Sequence, residues 1–249
     1  MHIFYFGFFS VLNYIRDMST EYKDGLHELV PNKPVKGIFE AHVTFECSTN
    51  TQDCIEKLQK ICENSKYKVI FIDLNTKNHQ QKPKKLEQLM TSSYHTGEYP
   101  SIVKQIQDEV HEYFKDFNII RIKIESLASN EGVPETNTEK KLFWSDQTNY
   151  FEFHYKFLVN NHQLKTLRDV CQRYYGRRLH LSHNAFQSLA EEKFYYFVTM
   201  RIFDQGRANA FQTNENVITY FTSKRLVPLK VVREFIVYDS YIELDQNWS

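Results

Sequence analysis

Two short stretches of the chain place an acid and a histidine at alternate positions. In IFEAHVTF, Glu40 precedes His42, and in YFEFHYKF, Glu152 precedes His154. Side chains alternate across a β-strand, so each acid shares a face of its strand with its histidine. Imidazole titrates near neutral pH, and a carboxylate can orient it or bind a metal. Both pairs are therefore candidates for acid–base chemistry, with His180 of a third stretch, HLSHN, as a further candidate.

Other polar side chains recur at every second position of the predicted strands, which places them on one face. Arginine offers bidentate donors and lysine a point charge, so their presence on that face points to an anion such as phosphate. Glu234 extends the same series, and Asp239 follows Tyr238. The alternative is an ordinary solvated sheet face with cross-strand ion pairs. The residues predicted to bind substrate or phosphate are Thr44, Thr91, Ser92, His95, Arg121, Lys123, Lys156, Ser182, Asn184, Arg201 and Tyr238.

The elements that would position these residues repeat along the chain. Glu40 and Glu152, like His42 and His154, are 112 positions apart, and a fixed offset is typical of internal duplication. Each half reads as β-α-β-β-α-β, the order of a ferredoxin-like unit. We therefore expect an α+β fold of two tandem ferredoxin-like repeats whose antiparallel sheets bury part of their open faces against each other and form a central polar cleft or tunnel.

The predicted organisation has four parts. Residues 1–36 form an N-terminal extension, and 37–126 form the first lobe. Residues 127–148 form a polar linker, and 149–249 form the second lobe. The tract NTKNHQQKPKK is predicted to be a loop of the first lobe.

Composition excludes several classes of function. Lys plus Arg equals Asp plus Glu at 31 each, so no overall field attracts nucleic acid and sequence-specific DNA binding is disfavoured. The glycine-rich phosphate loops of dinucleotide-binding and P-loop proteins are missing from the sequence. No CxxC pair occurs, and the four cysteines are expected to be reduced thiols of a cytoplasmic protein. The apolar run at 3–15 is too short to span a bilayer and lacks the flanks of a signal peptide.

Three resemblances add to these expectations. His42-x-Thr44 and His180-x-Ser182 resemble the motifs of the 2H phosphoesterases, which implies two lobes and paired histidines acting on cyclic phosphates or RNA ends without a metal. The stretch EFHYK resembles the ExExK signature of the triphosphate tunnel enzymes, although His154 replaces the middle acid. That resemblance implies a barrel lined with acids that hold Mg²⁺ or Mn²⁺.

A third resemblance is more specific, because it spans most of the chain. The set FEAHVT, MTSSYH, RIKIE, YFEFHYK, HLSHNA, FVTMR and YDSYIELDQNW is similar to a widespread group of proteins with no assigned activity, which implies a duplicated ferredoxin-like architecture but no reaction.

The leading prediction is a metal-independent phosphoesterase that acts on a nucleotide, an RNA end or another phosphorylated small molecule and needs no cofactor. The first alternative is a divalent-metal triphosphatase of the tunnel type, in which Glu40, Glu125 and Glu152 hold Mg²⁺ or Mn²⁺. The second alternative is a ligand-binding or structural protein without catalysis. The oligomeric state does not follow from the sequence.

Overall fold

Eight β-strands and five α-helices form the described part of the chain, an α+β fold. The computed structural model describes residues 34–46, 51–77, 83–173, 179–184 and 193–245. The strands are β1 (Lys36–Glu46), β2 (Lys68–Lys77), β3 (Pro83–Glu98), β4 (Asn118–Leu127), β5 (Tyr150–Val159), β6 (Leu179–Asn184), β7 (Phe194–Ile202) and β8 (Lys230–Asp239). The helices are α1 (Thr51–Cys62), α2 (Ser101–Tyr113), α3 (Asn137–Phe143), α4 (Asn161–Arg173) and α5 (Arg207–Ser223).

The eight strands form one antiparallel sheet that closes into a barrel. Their order is β1-β3-β2-β6-β7-β5-β8-β4, and β1 pairs with both β3 and β4. Each described strand therefore has a partner on both sides. Closure satisfies the backbone groups that an edge strand would expose.

The two halves of the chain have the same element order and the same strand order within the sheet. The first half runs β4-β1-β3-β2 and the second runs β8-β5-β7-β6. The halves meet edge to edge, through β4 with β8 and through β2 with β6. The sequence predicted that the halves would pack face to face; instead their edge strands pair, and the open faces become the inside of one barrel.

The main apolar core lies between the helices and the outer face of the barrel. Phe39 and Val43 of β1 alternate with the polar residues of that strand and are buried, as are Phe153 and Tyr155 of β5. Helix α2 buries three apolar residues four positions apart, as its sequence period requires. The apolar residues predicted to face the helices are buried, so strand alternation is confirmed as the rule that separates the core from the barrel interior. Those named by the sequence pattern and found buried are Phe39, Val43, Phe45, Ile122, Ile124, Phe153, Tyr155, Phe157, Leu179, Leu181, Val198, Met200 and Ile202.

The segment expected to be a polar linker contains helix α3. Thr136 caps this helix and forms a capping box with Glu139. Lys140 is fully buried, and Trp144 packs edge-on against Phe235 at a centroid distance of 5.0 Å. Residues 127–148 are thus ordered structure that packs against the second half.

The predicted loop NTKNHQQKPKK is largely strand. Strand β2 continues to Lys77, β3 begins at Pro83, and the two remain in register up to that pair. Residues 78–82 lie outside the described part. Antiparallel pairing of the backbone outweighs the low strand propensity of these polar residues.

The expectation of four reduced cysteines is wrong at one position. Cys54 is disulfide-bonded, whereas Cys62 and Cys171 are free. Disulfides persist in oxidising compartments, so the cysteines no longer support a cytoplasmic location. Within the described residues, no helix has both the length and the apolar character needed to cross a membrane. The apolar run at 3–15 lies outside them.

Candidate functional site

A cavity of about 400 Å³ lies inside the barrel and is lined by inward-facing side chains of all eight strands. Exposed side chains mark its mouth, where Tyr94 and Lys230 lie. The apolar lining consists of Ile38, Ile70, Ile72, Met90, Leu127, Phe197 and Val232. The polar lining consists of Glu40, His42, Thr44, Gln88, Tyr94, Arg121, Lys123, Glu125, Glu152, His154, Ser182, Thr199, Lys230 and Glu234.

The first half of the chain supplies one cluster of two glutamates and a histidine, which we call the first cluster. Glu40 of β1 lies directly opposite Glu125 of β4. The His42 Nε2 atom lies 3.2 Å from Oε2 of Glu125 and 3.6 Å from Oε1 of Glu40. Ser92 Oγ donates a hydrogen bond of 2.5 Å to Oε1 of Glu40.

The second half supplies the matching second cluster. Glu152 of β5 lies directly opposite Glu234 of β8. The His154 Nε2 atom lies 2.9 Å from Oε1 of Glu152 and 3.4 Å from Oε2 of Glu234. The other ring nitrogen, Nδ1, lies 3.0 Å from Oγ1 of Thr199. The two clusters therefore repeat the same residue types at the same strand positions.

Three cations that were predicted to bind phosphate are instead bound to carboxylates. Lys123 Nζ lies 2.6 Å from Oε1 of Glu125 and 2.7 Å from Oε1 of Glu152, so this ammonium bridges the two clusters. Arg201 Nε donates to Oε2 of Glu152 at 2.5 Å.

The third cation, Arg121, forms a bidentate pair with Asp239 through hydrogen bonds of 2.8 and 2.6 Å. Tyr150 donates its hydroxyl proton to the same carboxylate at 2.8 Å. Asp239 is fully buried, so this pair is a fixed part of the barrel interior.

Burial and neighbouring charges move the pKa values of these groups in different directions. Burial raises the pKa of Glu234 well above its usual range, and the charge of Glu125 adds to that rise. Burial alone would raise the pKa of Glu152 as well, but Lys123 and Arg201 hold it well below its usual range. Glu234 therefore keeps its proton to a higher pH than Glu152 does.

The pKa values of His42 and Lys123 are raised despite burial. Burial alone would lower the pKa of His42, but the adjacent carboxylate of Glu125 raises it. Burial alone would likewise lower the pKa of Lys123, which Glu125 and Glu152 hold well above its usual range. The cavity thus contains proton donors and ionised carboxylates side by side.

Two sets of side chains bring metal-ligating atoms within 4.8 Å of one another, as judged over the described residues. One set is Glu40, His42 and Glu125, and the other is Glu125, Glu152 and His154. Glu125 belongs to both sets, so its carboxylate connects the ligands of the two halves. Of the predicted metal ligands, Glu40 and Glu152 each come within this distance of Glu125, but in separate sets, and each set adds a histidine.

Most of the candidate residues chosen by strand alternation line the cavity. They are Glu40, His42, Thr44, Arg121, Lys123, Glu125, Glu152, His154 and Ser182. His42 and His154 reach one cavity from opposite halves, as predicted.

Thr91, His95 and Tyr238 lie on the other face of the sheet, contrary to the prediction that they join the cleft. Thr91 lies opposite Val43, and His95 lies opposite Phe39, so both face the core. Directly opposed residues share a face, and the alternation of β3 turns its even-numbered residues inward.

His95 belongs to a buried polar network on that outer face. Its Nε2 lies 2.9 Å from Oγ of Ser93 and its Nδ1 lies 3.3 Å from Nζ of Lys66. Lys66 and Tyr67 both bond to Glu109 of helix α2. These bonds tie the helix to the sheet.

Four further candidates, Ser92, Arg201, His180 and Lys156, share the inner face but are not part of the cavity lining. Ser92 reaches Glu40, and Arg201 reaches Glu152. His180 lies opposite Thr199, so it faces inward. Lys156 places its ammonium 4.0 Å from the ring centroid of Tyr195. The side chain of Asn184 lies outside the described part.

Tyr94, Tyr150 and Lys230 were missed as members of the interior. Each lies on the same face of its strand as a residue that was predicted to belong to the site. Tyr94 follows Ser92, and Tyr150 precedes Glu152, by one alternating position. Lys230 lies opposite Lys156. Extending the series by one alternating position would have found Tyr94 and Tyr150, whereas Lys230 lies two alternating positions before Glu234.

No family model matches the chain, and no curated protein matches it. Among solved structures, the chain is similar to an anthrone oxidase-like protein, with 10% sequence identity over 82% of this chain and 92% of that chain and a TM-score of 0.26. A similarity of this size carries no argument about fold or activity.

Proposed function

We propose that the barrel cavity is the active site of a divalent-cation-dependent hydrolase of phosphorylated small molecules. The two sets of metal-ligating side chains that share Glu125 carry this proposal. They belong to an interior network of five carboxyl groups, which are Glu40, Glu125, Glu152, Glu234 and Asp239. Arg121, Lys123 and Arg201 contact carboxyl groups of this network, and Lys230 lies at the exposed mouth.

The ionised carboxylates around Glu125 would repel an anionic substrate at close range unless a cation lay between them. The ligand sets around Glu125 offer the carboxylate oxygens that Mg²⁺ and Mn²⁺ prefer, together with imidazole nitrogen. When bound in such a site, a divalent cation polarises a phosphoryl oxygen and lowers the pKa of water. Lys230 at the mouth is available to the far end of an anionic substrate.

A metal-independent phosphoesterase is the second candidate, and the protonation of His42 favours it. The pKa of His42 is raised, so this residue can donate a proton, while His154 faces the same cavity from the other half. Two histidines in one cavity can serve as general acid and general base. The requirement for a cation separates the two candidates.

The test is a hydrolysis assay of the purified chain with 2′,3′-cyclic nucleotides, RNA with cyclic phosphate ends and nucleoside triphosphates. We expect release of product with Mg²⁺ or Mn²⁺ and its loss in EDTA. His154→Gln should lower turnover about 100-fold or more, the usual range for a lost acid–base group. His162→Gln, on the exposed face of α4, is the matched control and should retain full activity.

Other outcomes of the assay decide against the proposal. Turnover that survives EDTA refutes the cation requirement and supports the paired histidines. Heat stabilisation by a phosphorylated ligand without turnover of any substrate supports a binding protein instead.

We also infer that the two halves are copies of one ferredoxin-like unit. Their shared element order, their shared strand order and the equivalent positions of the two clusters support a duplication. In this interpretation the active site lies where the inner faces of the two copies meet.

A further inference from the structure

We infer that the first cluster binds a single divalent cation, and that the ammonium of Lys123 takes the place of a second cation at the second cluster. The inference deepens the proposed function and rests on it for the role of the cation. It predicts that the two clusters differ in function although they are built from the same residue types: the first binds a metal ion, and the second binds the ammonium of Lys123.

The spacing of the donor atoms in the first cluster suits a metal ion. His42 Nε2 lies 3.2 Å from Oε2 of Glu125 and 3.6 Å from Oε1 of Glu40. Metal–ligand bonds of 2.0–2.2 Å place neighbouring donors about 3.0 to 3.4 Å apart in octahedral or tetrahedral geometry. Small side-chain movements would therefore complete a set of one nitrogen and two oxygens. Both His42 and Glu40 are open to the cavity, which leaves room for water or substrate on the ion.

The two clusters differ in whether Lys123 and the histidine contact the same carboxylate oxygen. It bonds to Oε1 of Glu125, whereas His42 contacts Oε2 of the same carboxylate. A cation at the first cluster can therefore use Oε2 while Lys123 keeps its bond. At the second cluster, Lys123 and His154 contact the same atom, Oε1 of Glu152. A cation there would have to displace the ammonium.

Lys123 has no counterpart in the second half. It lies opposite His42 on β4, and the residue opposite His154 on β8 is Val232. Arg201 adds a second positive charge at Glu152, the most deeply buried member of the clusters. Glu152 is thus neutralised by two side chains, whereas Glu40 bonds to the neutral hydroxyl of Ser92.

Glu234 supplies an independent sign that the cavity receives a polar ligand. Its side chain is 5% exposed and lines the cavity, and its Oε2 atom has no hydrogen-bond partner among the described residues. Buried carboxyl oxygens without a hydrogen-bond partner are rare, because leaving one unsatisfied is costly. Water carried by a cation in the cavity would satisfy this oxygen, as donor or as acceptor.

The test measures Mn²⁺ binding to the full chain, freed of metal with EDTA and desalted, by titration calorimetry and by metal analysis after gel filtration. We expect about one Mn²⁺ per chain, because the ammonium contacts a different oxygen of Glu125 from the one that His42 contacts, but the same oxygen of Glu152 as His154. His42→Gln should abolish binding or weaken it at least 10-fold, the lower bound for the loss of a ligand or its support. His154→Gln, the equivalent change in the second half, should leave one Mn²⁺ bound with affinity changed less than about threefold.

Lys123→Met provides a second, independent test. Removal of the ammonium frees the second cluster, so we expect about two Mn²⁺ per chain in this variant. If Lys123→Met does not fold, the comparison of Mn²⁺ binding by His42→Gln and His154→Gln still tests the inference. Equal loss of Mn²⁺ in both histidine variants, loss in His154→Gln alone, or no binding by the wild type overturns the inference.

The binding test is independent of the proposed reaction because no substrate is present. A chain that binds one Mn²⁺ at the first cluster but hydrolyses no phosphate ester refutes the reaction and keeps the cation site. A chain that hydrolyses a phosphate ester in EDTA and binds no Mn²⁺ refutes the cation site and keeps the hydrolase.

Discussion

Lys123 is the residue that links the charges of the barrel interior. Its ammonium contacts glutamates of both halves, and its side chain is only 10% exposed. An ammonium in this position costs desolvation energy, which two carboxylates at hydrogen-bonding distance offset. Without it, Glu125 and Glu152 would remain buried with less compensation.

We expect Lys123→Met to lower the free energy of unfolding by about 3–5 kcal/mol in EDTA, the usual cost of removing one partner of a buried ion pair. Urea denaturation of the variant and the wild type measures this difference. Lys104→Met is the matched control, because Lys104 forms an exposed pair with Asp108 and its loss should cost about 0.5 kcal/mol or less. Equal effects of the two changes would contradict the central role of Lys123.

Glu109 has a comparable linking role on the outer face of the sheet. It accepts hydrogen bonds from Lys66, Tyr67 and Gln105. Burial alone would raise its pKa, but these hydrogen bonds lower it below the ordinary value of 4.5. A carboxyl group whose pKa is lowered on folding stabilises the protein above its unfolded pKa, and this contribution is lost as pH falls through the folded pKa.

We therefore expect Glu109→Gln to lower the melting temperature at pH 7 and to change it little at pH 3. The wild type carries a contribution that disappears on acidification, and the variant does not, so the difference between their melting temperatures should shrink below about pH 4.5. Thermal denaturation followed by circular dichroism between pH 3 and 8 measures it. Glu112→Gln, exposed on the same helix, should show no such trend.

At the scale of elements, a β-bulge in β8 decides which residue of the pair Tyr238 and Asp239 enters the barrel. Ile124 pairs with Tyr238, but the next residue, Glu125, pairs with Ile236, so Val237 is an extra residue. The extra residue reverses the alternation beyond it, which turns Asp239 inward and Tyr238 toward the core. Asn149 Nδ2 donates to the carbonyl oxygens of Ile236 and Val237 and supports the bulge.

The N-terminus of helix α5 depends on a close approach that only glycine permits. A Cβ atom at Gly206 would lie 2.3 Å from the carbonyl carbon of Thr136 and 2.8 Å from the backbone nitrogen of Asn137. We expect Gly206→Ala to lower the free energy of unfolding by about 2 kcal/mol or more, because backbone atoms must move apart. Asn209→Ala, at an exposed position of the same helix, should stay within about 0.5 kcal/mol of the wild type. Denaturant titrations of the two variants test the contact.

Periodicity in the sequence was enough to predict these elements and much of the site. Alternation in β1, β4 and β5 identified Glu40, His42, Lys123, Glu152 and His154, because a period of two fixes the face of each side chain. It could not locate the bulge at Val237, because a single extra residue leaves no periodic pattern in the sequence. It also could not show that the arginines and Lys123 bind carboxylates, since all of those pairs except Lys123–Glu125 form between strands distant in sequence.

At the scale of the whole molecule, the join between the halves was the feature that the sequence could not predict. Face-to-face and edge-to-edge packing require the same strand patterns, and only the pairing partners of edge strands distinguish them. Within the part of the chain that the structure describes, β4 and β8 pair over five residue pairs, and β2 and β6 pair over three.

The single Lys123 has a consequence for how such a barrel could arise. Two identical chains related by a twofold axis would carry the lysine in both copies or in neither. In the proposed duplication, a lysine opposite His42 with Val232 opposite His154 requires that the two copies mutate separately, which the halves of one chain can do. Covalent fusion would then allow one copy to specialise while the other supports it, which a symmetric homodimer cannot achieve.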